Sequence, residues 1–216
     1  MKSILIIGIG RFGKHLTKYF SELGNEIMIV DKDEKKVNEL LGEVTGAQIG
    51  DCMDEKVLRS LGVNNFDICF VCIGGSFQAS LEITSLLKDL GAKYVIAKAD
   101  REIHEKFLLR NGADEVIHME RDVAFRTAKK YSATNLFEYF ELSEDYSIIE
   151  AAIPKSWIDK SIKELNIRSV YNVNIIAIRD GEKLIPAVDA EHVLSADEHI
   201  IIAGDTKVCT RLLKLK

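Results

Sequence analysis

A glycine falls at the same place in this chain four times, just after an amphipathic stretch and just before a short apolar run. The pairs are Leu23-Gly24, Leu61-Gly62, Leu90-Gly91 and Asn111-Gly112. Glycine there accepts the left-handed conformation that ends a helix, and the tight loop behind it delivers the chain to the next strand. The apolar runs, at residues 3–7, 26–30, 46–49, 66–73, 94–97 and 115–118, are short and rich in Ile and Val. That is the texture of parallel strands buried on both faces. Between them, residues 12–23, 33–41, 54–61, 77–90 and 102–110 read as helices. Within 33–41, Val37, Leu40 and Leu41 form an i, i+3, i+4 stripe surrounded by Lys and Glu. Strand–helix alternation with such loops implies right-handed βαβ units. The expected fold is α/β, a six-stranded Rossmann-type, doubly wound parallel sheet with a further helix at 121–131.

After Ser132-Ala133-Thr134-Asn135 the pattern changes. Residues 136–142 and 146–153 read as antiparallel strands joined across Ser143-Glu144-Asp145. A helix-like 161–165, a strand 173–179, a hairpin turn at Asp180-Gly181, strands 183–185 and 199–203 and a helix 206–213 follow. Both prolines, Pro154 and Pro186, lie in this part. The expected division is therefore 1–131 and 136–216, the second being a small α+β domain. That second part is too small for the substrate domain of a typical dehydrogenase, and 216 residues accommodate one ordinary domain and a small one.

With 34 acidic against 29 basic residues the net charge is −5, which argues against a general nucleic-acid binder. Hydrophobic residues at 47% exclude a disordered chain. No apolar run is long enough to span a bilayer, and Met1-Lys2-Ser3 leads straight into a strand rather than a signal peptide. Cys52, Cys69, Cys72 and Cys209 are few and irregularly spaced, pointing to a reducing cytoplasm rather than a disulfide framework. Cys69 and Cys72 lie in one strand-like run, Ile68-Cys69-Phe70-Val71-Cys72-Ile73. Positions three apart on a strand face opposite sides, so these read as core thiols and not as a zinc or redox pair.

Gly8-Ile9-Gly10-Arg11-Phe12-Gly13 is a G-x-G-x-x-G run that follows the first strand and opens the first helix. In that context Gly8 permits the tight turn, Gly10 admits phosphate to the backbone, and Gly13 lets helix and strand pack closely. The helix N-terminus presents free N–H groups to an anion. Asp31, at the end of the second strand, is placed to accept ribose hydroxyls, or else it or Asp33 caps the following helix. A carboxylate there repels a 2′-phosphate and no Arg immediately follows, so NADP is disfavoured, while NAD(H), ATP and ADP remain. Arg11 is either a phosphate clamp, suited to a highly charged ligand such as ATP, or a solvated surface residue. Asp51 and Gly74-Gly75-Ser76 follow the third and fourth strands and fit adenine and ribose contacts or simple N-capping. Lys98 ends the fifth strand, where it can meet phosphate. Glu120 follows the sixth, facing a ligand or merely satisfying a helix dipole.

Together with Asp31-Lys32-Asp33, Gln78-Ala79-Ser80, Ala97-Lys98-Ala99 and Gly112-Ala113-Asp114, the glycine loop resembles the KtrA/TrkA family of cytosolic regulators of potassium transport, built from RCK (KTN) domains. Residues 146–150 and 161–168 resemble the start of that family's small C-terminal domain, and the length favours the single-domain KtrA type over the duplicated TrkA type. The resemblance implies a nucleotide site drawn from Gly8, Gly10, Arg11, Phe12, Gly13, Asp31, Lys32, Asp51, Cys52, Ile73, Gly74, Lys98 and Glu120. It places Glu120 near a γ-phosphate or its divalent cation, across a dimer contact, whereas Asp33 stands where relatives often carry Asn. It further implies ATP, ADP or NAD(H) as ligand and homodimers building a ring, octameric in expectation. The ring would dock on an integral-membrane potassium-translocating subunit of the KtrB or TrkH type, placing this chain in the cytoplasm at the inner face of the membrane. Some relatives bind cyclic di-AMP through the C-terminal domain, a pattern matched by Ile167, Arg168, Asn174 and Pro186.

The function so implied is regulatory and not enzymatic. A ligand gates only if it binds two conformations with different affinity. The γ-phosphate is the natural discriminator, held by Arg11 and met by Glu120 only through a divalent cation. The alternative readings are a small NAD-dependent dehydrogenase, for instance one resembling precorrin-2 dehydrogenase, or an NADH-sensing repressor. Against them, His15, His104, His118, His192 and His199 are scattered without a constellation, and no helix-turn-helix is discernible.

Overall fold

Six strands in the order β3-β2-β1-β4-β5-β6, every neighbouring pair parallel, form the sheet of the first half of the molecule. The structure is a computed structural model that describes residues 1–132, 136–143 and 145–212. Contacts divide the chain into two units, Met1–Arg121 and Asp122–Lys216. In the first, β1 (Ser3–Ile7), β2 (Glu26–Asp31), β3 (Gly46–Ile49), β4 (Ile68–Val71), β5 (Val95–Lys98) and β6 (Glu115–Ile117) alternate with helices. These are α1 (Arg11–Glu22), α2 (Glu34–Asn38), α3 (Glu55–Leu61), α4 (Phe77–Asp89), α5 (Glu102–Arg110) and α6 (Met119–Ser132). The expected sheet is therefore present strand for strand. Its order reverses between β1 and β4, so the loops leaving those two strands diverge and open a crevice at their carboxyl ends. The division between units falls inside α6, ahead of residue 131.

Alternate strand residues feed two cores, one on each face. Leu5, Ile7, Cys69 and Val71 pack with Leu58, Ile83 and Leu87, while Ile4, Ile6, Phe70 and Cys72 pack with Ile27, Ile29 and Val37. Cys69 and Cys72 thus lie on opposite sides of the sheet, and burial pushes both thiols up to about 12. Neither a zinc nor a redox pair forms there. Gly62, at φ 64°, caps α3 in the left-handed conformation that the Leu-Gly punctuation anticipates. Two elements are shorter than expected by four residues each. The helix expected over 33–41 ends at Asn38, and the strand expected over 66–73 spans only Ile68–Val71. Residues 72–75 instead leave the sheet as loop, which frees their backbone to line the crevice.

The second unit is an antiparallel sheet in the order β10-β9-β11-β8-β7. Its strands are β7 (Leu136–Ser143), β8 (Tyr146–Ala152), β9 (Val173–Asp180), β10 (Lys183–Pro186) and β11 (Glu198–Asp205), with helices α7 (Ile162–Leu165), α8 (Ile167–Tyr171) and α9 (Thr206–Leu212). Ile149, Trp157, Val173, Ile178, Ile200, Ile202 and Cys209 fill one core. The expected turn at Ser143-Glu144-Asp145 and the expected helix end at Leu213 include residues outside the described set. Helix α8 was not expected. It occupies five residues between Asn166 and Asn172, both at positive φ (43° and 55°), and is too short to show a period. Pro186 ends the edge strand β10, where a missing N–H costs no ladder bond.

On the sheet face away from that core, Glu150 of β8 is buried and accepts hydrogen bonds from Arg179 Nε (2.7 Å) and Nη2 (3.1 Å). Its Oε1 also lies 3.1 Å from His199 Nδ1, whose ring stacks on Phe137 at 3.8 Å. Burial disfavours the charged carboxylate, but the bonds from Arg179 and His199 outweigh it and hold Glu150 below its ordinary value of 4.5. A depressed folded-state value means that the stabilisation is present above the unfolded value and is lost as pH falls through the folded one. The unfolding midpoint, followed by circular dichroism, is expected to drop as pH is lowered from about 6 to about 3. Glu150→Gln should flatten that acid limb, and an unchanged limb would remove Glu150 from its cause.

Candidate functional site

The crevice at the switch point is a cleft of about 440 Å³, walled by the loops after β1, β2, β3 and β4. Its floor is the glycine run. Gly8 sits at φ +92°, a conformation L side chains rarely adopt, and donates its N–H to the Val30 carbonyl at 2.9 Å. A β-carbon on Gly13 would stand 2.2 Å from the Gly8 carbonyl oxygen, so α1 can approach β1 only with hydrogen at that position. Gly10, the N-cap of α1, faces open space with nothing within 4 Å of its would-be β-carbon. The free N–H groups of the first turn of α1 are therefore unobstructed, the arrangement that favours an anion.

Asp31 braces this loop. Its Oδ2 accepts the Ile9 N–H at 2.6 Å and its Oδ1 accepts the Asp33 N–H at 2.9 Å. Capping of α2 falls to Asp33, whose side chain accepts from Lys35 N–H. Asp31 lines the cleft and does not cap the helix. Asp51 likewise lines the cleft and accepts the Met53 N–H at 3.0 Å, while Asp54 caps α3. Ser76 does both, lining the cleft and capping α4 by accepting the Ala79 N–H.

Of the residues expected at the site, Gly8, Gly10, Asp31, Lys32, Asp51, Cys52, Ile73 and Gly74 come together on the cleft wall. The Cys52 thiol is pushed up to about 12, by burial and then by the nearby Asp51 and Asp31 carboxylates, and is inert there. Arg11 is exposed at the first position of α1, with no ion-pair partner among the described residues. Phe12 packs against the core beneath the sheet, and Gly13 serves helix packing; neither lines the cleft. Lys98, at the end of β5, points its Nζ to Asp100 Oδ1 (2.8 Å) and lies 3.9 Å from Glu120 Oε1. Glu120 is three-quarters exposed in the first turn of α6. Among the described residues no group of three or more His, Cys, Asp or Glu is arranged to hold a metal ion. None of the five histidines lines the cleft.

Sequence reasoning missed Lys36 and Met53. Lys36 lines the cleft from α2 and approaches Asp31 Oδ2 (4.0 Å) and Asp33 Oδ2 (3.8 Å), which tempers the negative charge of that wall. Its signal was present, since position 36 faces the same side of the helix as its cap. In the second unit, the four residues matched to a second ligand separate. Ile167 is buried in the core and Arg168 is exposed on α8. Asn174 pairs with Ala203, while Ala177 pairs with both Ile201 and Pro186, so the register sets Asn174 and Pro186 on one sheet face.

Two family models cover most of the chain, the TrkA-N domain over residues 4–119 and the TrkA-C domain over residues 148–216. The chain belongs to the KtrA/TrkA family. It is 39% identical to the Ktr system potassium uptake protein C of Bacillus subtilis over 99% of this chain and 96% of that one. It is 35% identical to the Ktr system potassium uptake protein A of the same organism, over 95% and 93%. Among solved structures, the RCK domain of GsuK superposes with a TM-score of 0.69 at 20% identity, covering 99% of this chain and 47% of that one. The GsuK channel bound to NAD gives 0.68 at 21%. At those identities the likeness is one of fold, and this chain spans under half the length of GsuK. The two-unit architecture is thus that of an RCK domain.

Gly10 and Gly13, the two glycines of the fingerprint with non-positive φ, should behave oppositely in this KtrA/TrkA chain. Gly13→Ala drives a β-carbon into the Gly8 carbonyl and is expected to cost about 1–3 kcal/mol in urea denaturation. Gly10→Ala meets nothing and is expected to stay within about 0.5 kcal/mol of wild type. Equal costs would refute the packing role assigned to Gly13.

Proposed function

We propose that this chain is the nucleotide-sensing regulatory subunit of a potassium uptake system, controlling an ion path that belongs to a separate integral-membrane protein. The observation that carries the reading is end-to-end similarity at 39% identity to a Ktr potassium uptake protein, with the glycine-floored cleft intact. No helix among the described residues is long and apolar enough to cross a membrane, so the described part of this chain holds no helical ion path. Its task is then to convert ligand occupancy into a mechanical bias on that partner, at the cytoplasmic face of the membrane. No catalytic role is needed, and the cleft wall supplies no histidine for hydride or proton transfer.

The ligand is a nucleotide, with ATP and ADP favoured over NAD(H). Asp31 and Lys36 receive the ribose, the first turn of α1 takes the phosphates, and Arg11, exposed and without an ion-pair partner among the described residues, closes on the terminal phosphate. Glu120 alone is too exposed and too close to Lys98 to hold a divalent cation, so a cation there takes most of its oxygen ligands from a triphosphate. The assembled form is a ring of homodimers. Cyclic di-AMP binds the second unit on the sheet face that carries Asn174 and Pro186, with Ile167 contributing only to packing.

Calorimetric titration of the full chain with ATP, ADP and NADH, alongside small-angle scattering of each complex, tests this reading. ATP is expected to bind more tightly than ADP and to change particle shape. Arg11→Ala should weaken ATP by about tenfold, the loss of one charge-assisted contact of about 1.5 kcal/mol, and leave ADP nearly unchanged. Equal affinities for ATP and ADP with identical scattering would sink the switch. Normal ATP binding by Arg11→Ala would dispose of the clamp.

A further inference from the structure

Beside the cleft, and sharing its wall at residues 73–75, lies a second recess of about 340 Å³ at the carboxyl ends of β4 and β5. Four side chains that donate hydrogen bonds line it, contributed by three different elements. Lys98 comes from the end of β5, Arg101 from the N-cap of α5, His104 from the first turn of α5 and Ser80 from α4.

One of these groups is buried without a polar partner among the described residues. Ser80 is 2% exposed, and its hydroxyl has no hydrogen-bond partner among the described residues. His104 is 9% exposed and stacks face-on against Phe77 at 4.0 Å, yet neither ring nitrogen is hydrogen-bonded among the described residues. Burying a hydroxyl such as that of Ser80 unsatisfied is costly, and native structures rarely do so without a reason. Arg101 is exposed, makes no side-chain cap bond and has no ion-pair partner among the described residues. Lys98 is held by Asp100, the one carboxylate on the recess wall, with Glu120 farther off at 3.9 Å. The lining therefore carries two cations against one carboxylate, plus an orphan hydroxyl and an imidazole. Convergent donors with a net positive charge select an oxygen-rich anion over a cation or a flat base.

We propose that this recess is an oxyanion site, in which Ser80 Oγ, His104, Arg101 and Lys98 bind a phosphoryl group, with Asp100 releasing Lys98 to the incoming anion. The phosphoryl group is either free phosphate or the end of a nucleotide reaching past Gly74 and Gly75. The inference rests on the nucleotide reading of the neighbouring cleft only for the second of these sources.

The test uses the full chain as wild type, Ser80→Ala and Arg101→Gln, with thermal unfolding followed against inorganic phosphate at constant ionic strength, with and without saturating ADP, and against ATP. Neither substitution touches the cleft wall, so the ADP response should persist in both variants. Ser80→Ala removes an orphan hydroxyl, so its unliganded midpoint should equal or exceed wild type.

If the anion is free, phosphate raises the wild-type midpoint and most of that shift is lost in both variants. If it belongs to the nucleotide, phosphate alone does nothing while ATP affinity falls about tenfold in both variants and ADP affinity holds. Responses to phosphate and ATP that are equal in all three proteins, or absent in wild type, overturn the proposal. A phosphate shift sensitive to both variants, with no response to ADP, upholds the recess and refutes the nucleotide reading instead.

Discussion

Everything functional in the first unit depends on one close approach, that of Gly13 to the Gly8 carbonyl. A helix can lie against the strand before it at that distance only where no β-carbon intervenes. This contact sets the N-terminus of α1 at the carboxyl end of β1, beside the reversal in strand order. The crevice, the exposed first turn and the position of Arg11 all follow. Asp31 then ties the loop to the end of β2 through the Ile9 amide, which links the neighbouring βα unit to the same fixed point.

Much of this was legible in the sequence because it is enforced locally. A left-handed helix end admits few residues besides glycine, so Gly62 announces the end of α3 without reference to anything distant. The burial of β1 and β4 on both faces shows as unbroken apolar runs, and the placement of Cys69 and Cys72 on opposite faces follows from strand geometry alone. What escaped was set by longer-range choices. Which of several aspartates caps a helix and which lines the cleft depends on how each loop turns, and Asp31, Asp33, Asp51 and Asp54 are chemically alike. Phe12 lies within the fingerprint but turns its ring to the core, because the helix face it shares with Leu16 and Phe20 is the packed one. The recess holding Ser80 and His104 has no motif, since its lining comes from three elements joined only by the fold.

Buried polar groups are treated in two ways across the two units. In the second, Glu150 is fully answered by Arg179 and His199, and a satisfied network of that kind gives a sheet face one preferred arrangement. The buried hydroxyls of Ser80 in the first unit and Thr206 in the second have no hydrogen-bond partner among the described residues. On the proposal above, that of Ser80 is held open for an anion that arrives later.

The bond between Asp31 and the Ile9 amide has a consequence for signalling. A loop already fastened at both ends does not need to be ordered by what enters it, so a ligand meets a finished cradle. Little of its binding free energy is consumed in folding the site. In the proposed switch the message is then carried not by this loop going from disorder to order but by a small displacement of rigid elements about a seat that does not itself give way, more like a wedge driven beneath a lever than a lid closing over a box.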